Sequence, residues 1–294
     1  MIVKPLDEAY LRSHPLPKHS GGDKHSRGRV LVVAGNIELP GAAILAGLGA
    51  LRAGAGVLRI AACQTNAPHI GAAMPEAMVV RCSEDAHGEI GIENGPRLVE
   101  LARGSDSVLL GPGMVDEGSV GRLCALILNE AIGPIFVVDA SAFTSLRHLD
   151  IRQEQRGRLV CTPHFGEMAK FLGREREEIE SQALRSATEA AHSVHAVVAL
   201  KGASTHVVGL SDEALLNEQG TVSLATSGSG DTLAGIVAGL AARGTSPFLA
   251  AAWGVYLHAV AGRLAADRLG SIGLLARELP EEIPPIMRDL ESRT

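Results

Sequence analysis

Residues Thr226-Ser-Gly-Ser-Gly-Asp-Thr-Leu-Ala-Gly235 join small residues, one carboxylate and the start of an apolar-periodic segment. Leu233, Ile236, Val237 and Leu240 recur at i, i+3, i+4 and i+7, which predicts a helix starting near Asp231 with that face buried. Gly228 and Gly230 precede or open that helix, where bare backbone lets N–H groups approach an anion and the macrodipole favours negative charge. Asp231 stands at the same place, either as a base beside a bound phosphate or as the helix N-cap.

Other chemistry-bearing residues follow short β-branched runs. Lys201-Gly-Ala-Ser-Thr205 offers a cation, a permissive glycine and two hydroxyls, suited to a nucleotide phosphate or ribose; its alternative is a solvated Lys before a tight turn. Thr162-Pro-His-Phe-Gly-Glu167 places His164 in a loop before a helix starting around Gly166, with Glu167 either favouring that helix N-terminus or ligating magnesium. Asp139 holds a water or metal near the phosphates, or satisfies a turn. Gly111-Pro-Gly113 reads as a rigid turn that becomes functional only with a partner against its backbone. Neither a Walker nor a dinucleotide-binding glycine pattern occurs, so any phosphate site uses another architecture.

The elements that must position these residues are strands at 30–34, 57–61, 107–110, 135–138, 159–161 and 197–200, alternating with Ala/Gly/Leu-rich helical segments. That alternation predicts an α/β fold, a mostly parallel central sheet with helices on both faces. Residues 41–54 predict a helix whose glycines permit close packing, 232–243 and 247–269 predict two apolar helices on one side of the sheet, and 211–220 a hairpin or loop. In such a sheet ligands sit beyond the carboxyl ends of the strands. Gly35, Gly113, Asp139, His164 and Lys201 all follow strands, so one crevice gathers them.

No linker, repeat or charge block divides residues 1–294, which predicts a single domain, with 1–25 as a polar, Pro-containing N-terminal arm. Aromatics make up 3% of the chain and glycines number 34, so the core must be aliphatic with close backbone approaches. A formal charge of −6 argues against nucleic acid as a partner. No uninterrupted apolar run reaches roughly eighteen residues, which argues against a membrane span. Cys63, Cys82, Cys124 and Cys161 form no C-x-x-C pair and no basic-plus-apolar leader opens the chain, which fits a cytoplasmic protein with reduced thiols. The histidines show no zinc-ligand spacing.

Taken together, Gly28-Arg-Val-Leu-Val-Val-Ala-Gly35, Pro40-Gly-Ala-Ala43, Arg52-Ala-Gly-Ala-Gly56, Gly111-Pro-Gly113, Thr162-Pro-His-Phe-Gly-Glu167, Lys201-Gly202, Gly228-Ser-Gly-Asp231 and Leu274-Leu-Ala276 resemble the ADP/ATP-dependent NAD(P)H-hydrate dehydratase family of the ribokinase-like superfamily. The resemblance implies that ADP or ATP, with Mg2+, drives dehydration of hydrated NADH or NADPH: the terminal phosphoryl group activates the ring hydroxyl, phosphate leaves and the double bond returns. It implies Asp231 as base, with Gly228, Ser229 and Gly230 as phosphate cradle. Nucleotide contacts carry over to Lys201, Gly202, Ala203, Ser204, Thr205 and Gly230; hydrated-dinucleotide contacts to Ala43, Gly113, His164 and Asp231. Phe165 and Ser229 replace the family's usual Pro and Thr, and Asn217-Glu-Gln-Gly-Thr221 departs from its N-x-T-G-N segment. Members are often fused to an epimerase; no segment of that size occurs in this sequence, so the expectation is a stand-alone dehydratase, assembled as a homo-oligomer with a tetramer favoured. Two rivals are a ribokinase-like vitamin-precursor kinase, which would release a phosphorylated small molecule, and a catalytically silent nucleotide-binding protein.

Overall fold

The computed structural model describes residues 2–18, 22–211 and 213–292. Its strands are β1 (Ile2–Pro5), β2 (Arg29–Val33), β3 (Val57–Cys63), β4 (Ala77–Cys82), β5 (Ser107–Leu110), β6 (Ile135–Val138), β7 (Leu159–Cys161), β8 (Val197–Leu200), β9 (Thr205–Val208) and β10 (Glu213–Asn217). The helices are α1 (Glu8–Ser13), α2 (Pro40–Arg52), α3 (Ala67–Ala73), α4 (Gly95–Arg103), α5 (Glu117–Glu130), α6 (Ala140–Ser145), α7 (Phe165–Leu172), α8 (Arg176–Ser181), α9 (Ala183–Ser193), α10 (Ser229–Ala242), α11 (Pro247–Leu269) and α12 (Leu279–Ser292), joined by short 3-10 turns.

All ten strands form one sheet in the order β1-β10-β9-β8-β7-β6-β5-β2-β3-β4. Pairing is parallel except where β9 runs against β8 and β10. From β2 the chain builds outward through β3 and β4, then returns to β2's other side with β5, so the winding reverses between β2 and β5 and opens a crevice at their carboxyl ends. Because side chains alternate along a strand, Val30 and Val32 face one core while Leu31 and Val33 face the other, all of them fully buried. Residues of α2, α10, α11 and α12 cover the first face, and those of α4, α5, α6, α7 and α9 the second. At 23 residues α11 is long and apolar enough to span a bilayer by composition, but 78% of its most apolar window is buried inside the fold.

The glycines of α2 and α10 let two backbones touch. A Cβ on Gly235 would lie 2.0 Å from the Ala46 carbonyl oxygen, one on Gly239 2.4 Å from that of Ala50, and one on Gly49 2.5 Å from that of Thr232. This contact seats the start of α10 against α2. The N-terminal segment expected as an arm packs on the fold instead: β1 pairs with β10, Leu6, Leu11 and Leu16 are buried, and the Trp253 indole donates to the His14 carbonyl at 2.9 Å. Its apolar residues are too widely spaced among polar ones to announce that in the sequence. The four cysteines are buried free thiols.

Candidate active site

Gly228 is the N-cap of α10 in left-handed backbone, φ 86°, where a Cβ would also meet Leu45 Cδ1 at 2.3 Å. The Ser229 N–H donates to Thr226 O at 3.3 Å, and Thr232 N–H opens the helical ladder by donating to Gly228 O at 3.1 Å. Between them, the N–H groups of Gly230 and Asp231 have no acceptor among the described residues. Two free amides at a helix N-terminus make an anion cradle. Asp231 lies inside the first turn rather than at the N-cap, and its carboxylate has no hydrogen bond or ion pair among the described residues. The capping alternative is thereby set aside.

Three neighbouring strands supply the cation. Register pairs Val138 with Cys161, so Asp139 and Thr162 emerge side by side, and β8 delivers Lys201 next to them. Lys201 Nζ lies 2.9 Å from Asp139 Oδ1, which also accepts from Thr162 Oγ1 at 2.7 Å; the two charged side chains are 18% and 4% exposed. A Cβ on Gly230 would be 3.2 Å from the Lys201 ammonium, so the cation lies directly against the anion cradle. Burial opposes the Lys201 charge, but Asp139, Glu167 and Asp231 outweigh it and hold its pKa above the usual lysine value. The Asp231 pKa is raised too, which for a carboxyl disfavours the charge. Burial, then the Asp139 charge, raises its pKa from 3.8 to about 7, with Glu167 adding to the rise and Lys201 restraining it. A carboxylate that ionises near neutrality is suited to accept a proton during turnover.

His164 and Glu167 form a reciprocal cap on α7. His164 Nδ1 accepts from the N–H groups of Gly166 (2.9 Å) and Glu167 (3.2 Å), while Glu167 Oε2 accepts from His164 N–H at 2.7 Å. Accepting at Nδ1 requires that nitrogen to be bare, which leaves Nε2 as the N–H donor of a neutral ring. Burial and the nearby Lys201 charge lower the His164 pKa in the same sense. The ring is 60% exposed at the rim, its Nε2 3.4 Å from Glu167 Oε1, so that donor can turn to a ligand. Burial raises the Glu167 pKa. Lys201 N–H donates to Pro163 O at 2.8 Å, tying the two loops together.

A cavity of about 660 Å³ opens against these groups, lined by His164, Lys201, Gly202, Ala203, Thr205, Ser229 and Gly230. Phe165 packs over Gly202, where a Cβ would come within 2.5 Å of the ring. Ser204 is half-buried beside Thr205. The cavity also draws on Asn217 and Thr221 of the segment that departs from the family pattern, and on Arg176, Val255 and His258, which the sequence did not single out; a lone histidine in the apolar run of α11 was the one available signal. Toward β2 and β5, Asn36 N–H donates to Gly113 O at 3.0 Å, and Gly113 (φ 67°) keeps part of its backbone exposed. Ala43, expected at the coenzyme, is 0% exposed in α2, and the exposed surface at that helix entrance comes from Gly41. The Gly113 loop instead borders a smaller cavity of about 350 Å³ lined by Asn36, Glu38, Glu89 and Val115. A third cavity of about 690 Å³, lined by Arg27, Arg52 and Trp253, lies at the opposite sheet edge and shares none of these residues.

The expectation of Asp139 or Glu167 as metal ligands meets carboxylates already engaged, one by Lys201 and Thr162, the other by the His164 backbone. Among the described residues no group of three or more His, Cys, Asp or Glu side chains is placed to hold a metal ion.

Residues 30–285 match the family model described as NAD(P)H-hydrate dehydratase. The chain is similar to the ADP-dependent (S)-NAD(P)H-hydrate dehydratase of Xanthomonas campestris, 41% identical over 97% of this chain and 96% of that protein. It is 35% identical to a bifunctional NAD(P)H-hydrate repair enzyme of Moorella thermoacetica over 97% of this chain, which spans 54% of that longer relative. The solved ADP/ATP-dependent NAD(P)H-hydrate dehydratase from Bacillus subtilis, co-crystallized with ATP/Mg2+, superposes with a TM-score of 0.84 at 29% identity, covering 99% of each chain. The matched region includes Asp231, Lys201 and the free amides at the start of α10, and the chain belongs to the NAD(P)H-hydrate dehydratase family.

Proposed function

We propose that this protein returns hydrated NADH or NADPH to NADH or NADPH at the expense of ADP or ATP, with phosphate and AMP or ADP as co-products. The observation that carries the proposal is the unpaired Asp231 carboxylate, ionising near pH 7, within one turn of free helix amides and beside Lys201. The nucleotide occupies the cavity of about 660 Å³ beside Lys201, with its terminal phosphoryl group on the Gly230 and Asp231 amides, and Lys201 balances its charge. The ring hydroxyl of the hydrated coenzyme faces Asp231, which takes its proton as the oxygen attacks phosphorus and the bridging P–O bond breaks. The phosphorylated intermediate then loses phosphate through C–O cleavage and a ring proton leaves, restoring the double bond. In this proposal Gly113 and the His164 Nε2–H contact the coenzyme. Magnesium, which the co-crystallized Bacillus relative suggests, would enter on the nucleotide phosphates, and no step above depends on it.

The test is incubation of hydrated NADH with ADP or ATP, following NADH absorbance and phosphate release. Recovery of NADH with stoichiometric phosphate supports the proposal. A stable phosphorylated small molecule in place of NADH would favour the kinase alternative, and nucleotide binding without turnover the silent one. Cytoplasmic action and a homotetramer complete the proposal; light scattering that gives a monomer at micromolar concentration would overturn the assembly.

A further inference from the structure

Behind the anion cradle, α11 carries His258 within a run of Ala, Val, Leu and Gly. The ring is 8% exposed, and its Nε2 lies 2.9 Å from Ser229 Oγ. Ser229 is the first residue of α10; its N–H is taken by Thr226 O, and both it and His258 line the cavity. Two hydrogen arrangements satisfy that contact. If Nε2 is bare, the ring hydrogen sits on Nδ1, which has no partner among the described residues, and the serine hydrogen is consumed by the ring. If Nε2 carries the hydrogen, Nδ1 is bare and the serine hydrogen is released.

The second arrangement completes the site. We propose that His258 is a positioning residue whose Nε2–H donates to Ser229 Oγ, turning the serine hydroxyl hydrogen into the cavity as a third donor to the transferred phosphoryl group. The inference rests on the nucleotide-dependent function above and adds a residue to it. Burial, reinforced by the Lys201 charge, brings the His258 pKa down to about 4, so the ring stays neutral at the pH where Asp231 ionises. His258 therefore directs a hydrogen bond and carries no charge into the cradle. Without it, the serine hydroxyl is free to point back into the protein and present lone pairs to the phosphate.

Calorimetric titration of the intact protein with ADP and with AMP tests this, because AMP lacks the phosphoryl group that the serine would hold. His258→Leu is expected to weaken ADP about tenfold while changing AMP less than about twofold, a split that general loosening of the helix would not produce. His258→Gln, which keeps an N–H donor near the Nε2 position, should recover most of the ADP affinity. Ser229→Ala should reproduce the ADP-selective loss without touching α11, so the proposal stays testable even if His258→Leu does not fold. Equal losses for both nucleotides, or unchanged ADP affinity in Ser229→Ala, would overturn it. A wild-type protein that binds neither nucleotide would remove the underlying function itself, a separate result.

Discussion

The entrances of α6 and α10 each place an aspartate at the carboxyl edge of the sheet beside the same lysine, yet the two carboxylates are built for opposite tasks. Asp139 is closed in by Lys201 and Thr162 and followed by Ala140 in left-handed backbone, φ 52°, a conformation a non-glycine residue holds only when its surroundings fix it. A Cβ on Gly111 would fall 2.0 Å from the Asp139 carbonyl oxygen, so the neighbouring loop is pressed onto that turn. At α10 the same handedness falls on Gly228, which adopts it without strain, and Asp231 is left without a partner. The rigid entrance fixes a charge pair; the glycine entrance leaves a carboxylate whose ionisation that fixed pair tunes.

Exchanging the free carboxylate should produce the largest effect. Asp231→Asn is expected to lower turnover at least about a hundredfold while ADP binding changes little, measured by NADH recovery alongside calorimetry. Turnover close to wild type would remove Asp231 from the chemistry and erase the distinction between the two aspartates. Breaking the fixed pair should act on the fold as well. Lys201→Met leaves Asp139 buried without its counter-charge, and removing one member of such a pair costs about 3–5 kcal/mol. Thermal unfolding should then shift down by on the order of 10 °C, with ADP affinity lost because the cation leaves the Gly230 amide.

A sharper test asks whether one aspartate tunes the other. Asp231 must be ionised to accept the hydroxyl proton, so kcat/KM should rise with pH through about 7 and then level off. At pH 6 it should stand near a tenth of the plateau, about one pH unit below that midpoint. Asp139→Asn removes the fixed negative charge that opposes Asp231 ionisation and frees Lys201 to favour it, so the acid limb should move to lower pH. A limb that stays in place would show that burial alone sets the Asp231 pKa.

Much of this was legible in the sequence, and the gaps have physical causes. The six buried parallel strands announce themselves as β-branched runs, because a strand covered on both faces is apolar throughout. β1 and β4, the two edge strands, escape the pattern because their residues are polar or partly exposed, and β10, which pairs against β9, is foreshadowed only as the hairpin or loop expected at 211–220. Asp231, Lys201 and the glycines were readable, since helix-start and strand-end chemistry is local. The Asp139–Lys201 pair was not: the partners are 62 positions apart, and only the β6-β7-β8 order brings them together. Ala43, carried over by motif position, is 0% exposed where α2 meets the sheet, a burial that no local pattern announces.

The smallest effect separates the two aspartates by stability alone. The Asp231 pKa is about 7 in the folded protein against 3.8 for the unperturbed side chain. Below about pH 4 both folded and unfolded states carry the proton, and the stabilising contribution of the protonated carboxyl is fully present. As pH rises toward 7 the unfolded chain ionises first, so that contribution falls, and it is gone once the folded carboxyl also ionises. Asp231→Asn has no proton to lose. Its melting temperature should therefore match wild type near pH 4 and exceed it by a few degrees at pH 8, on the order of 3 °C for each kcal/mol of ionisation strain relieved. Asp139→Asn should show the reverse at pH 8, because the charge it removes is the one that Lys201 requires. If both asparagine variants were destabilised alike, Asp231 would be a structural anion like its neighbour, and its raised pKa would carry no catalytic meaning.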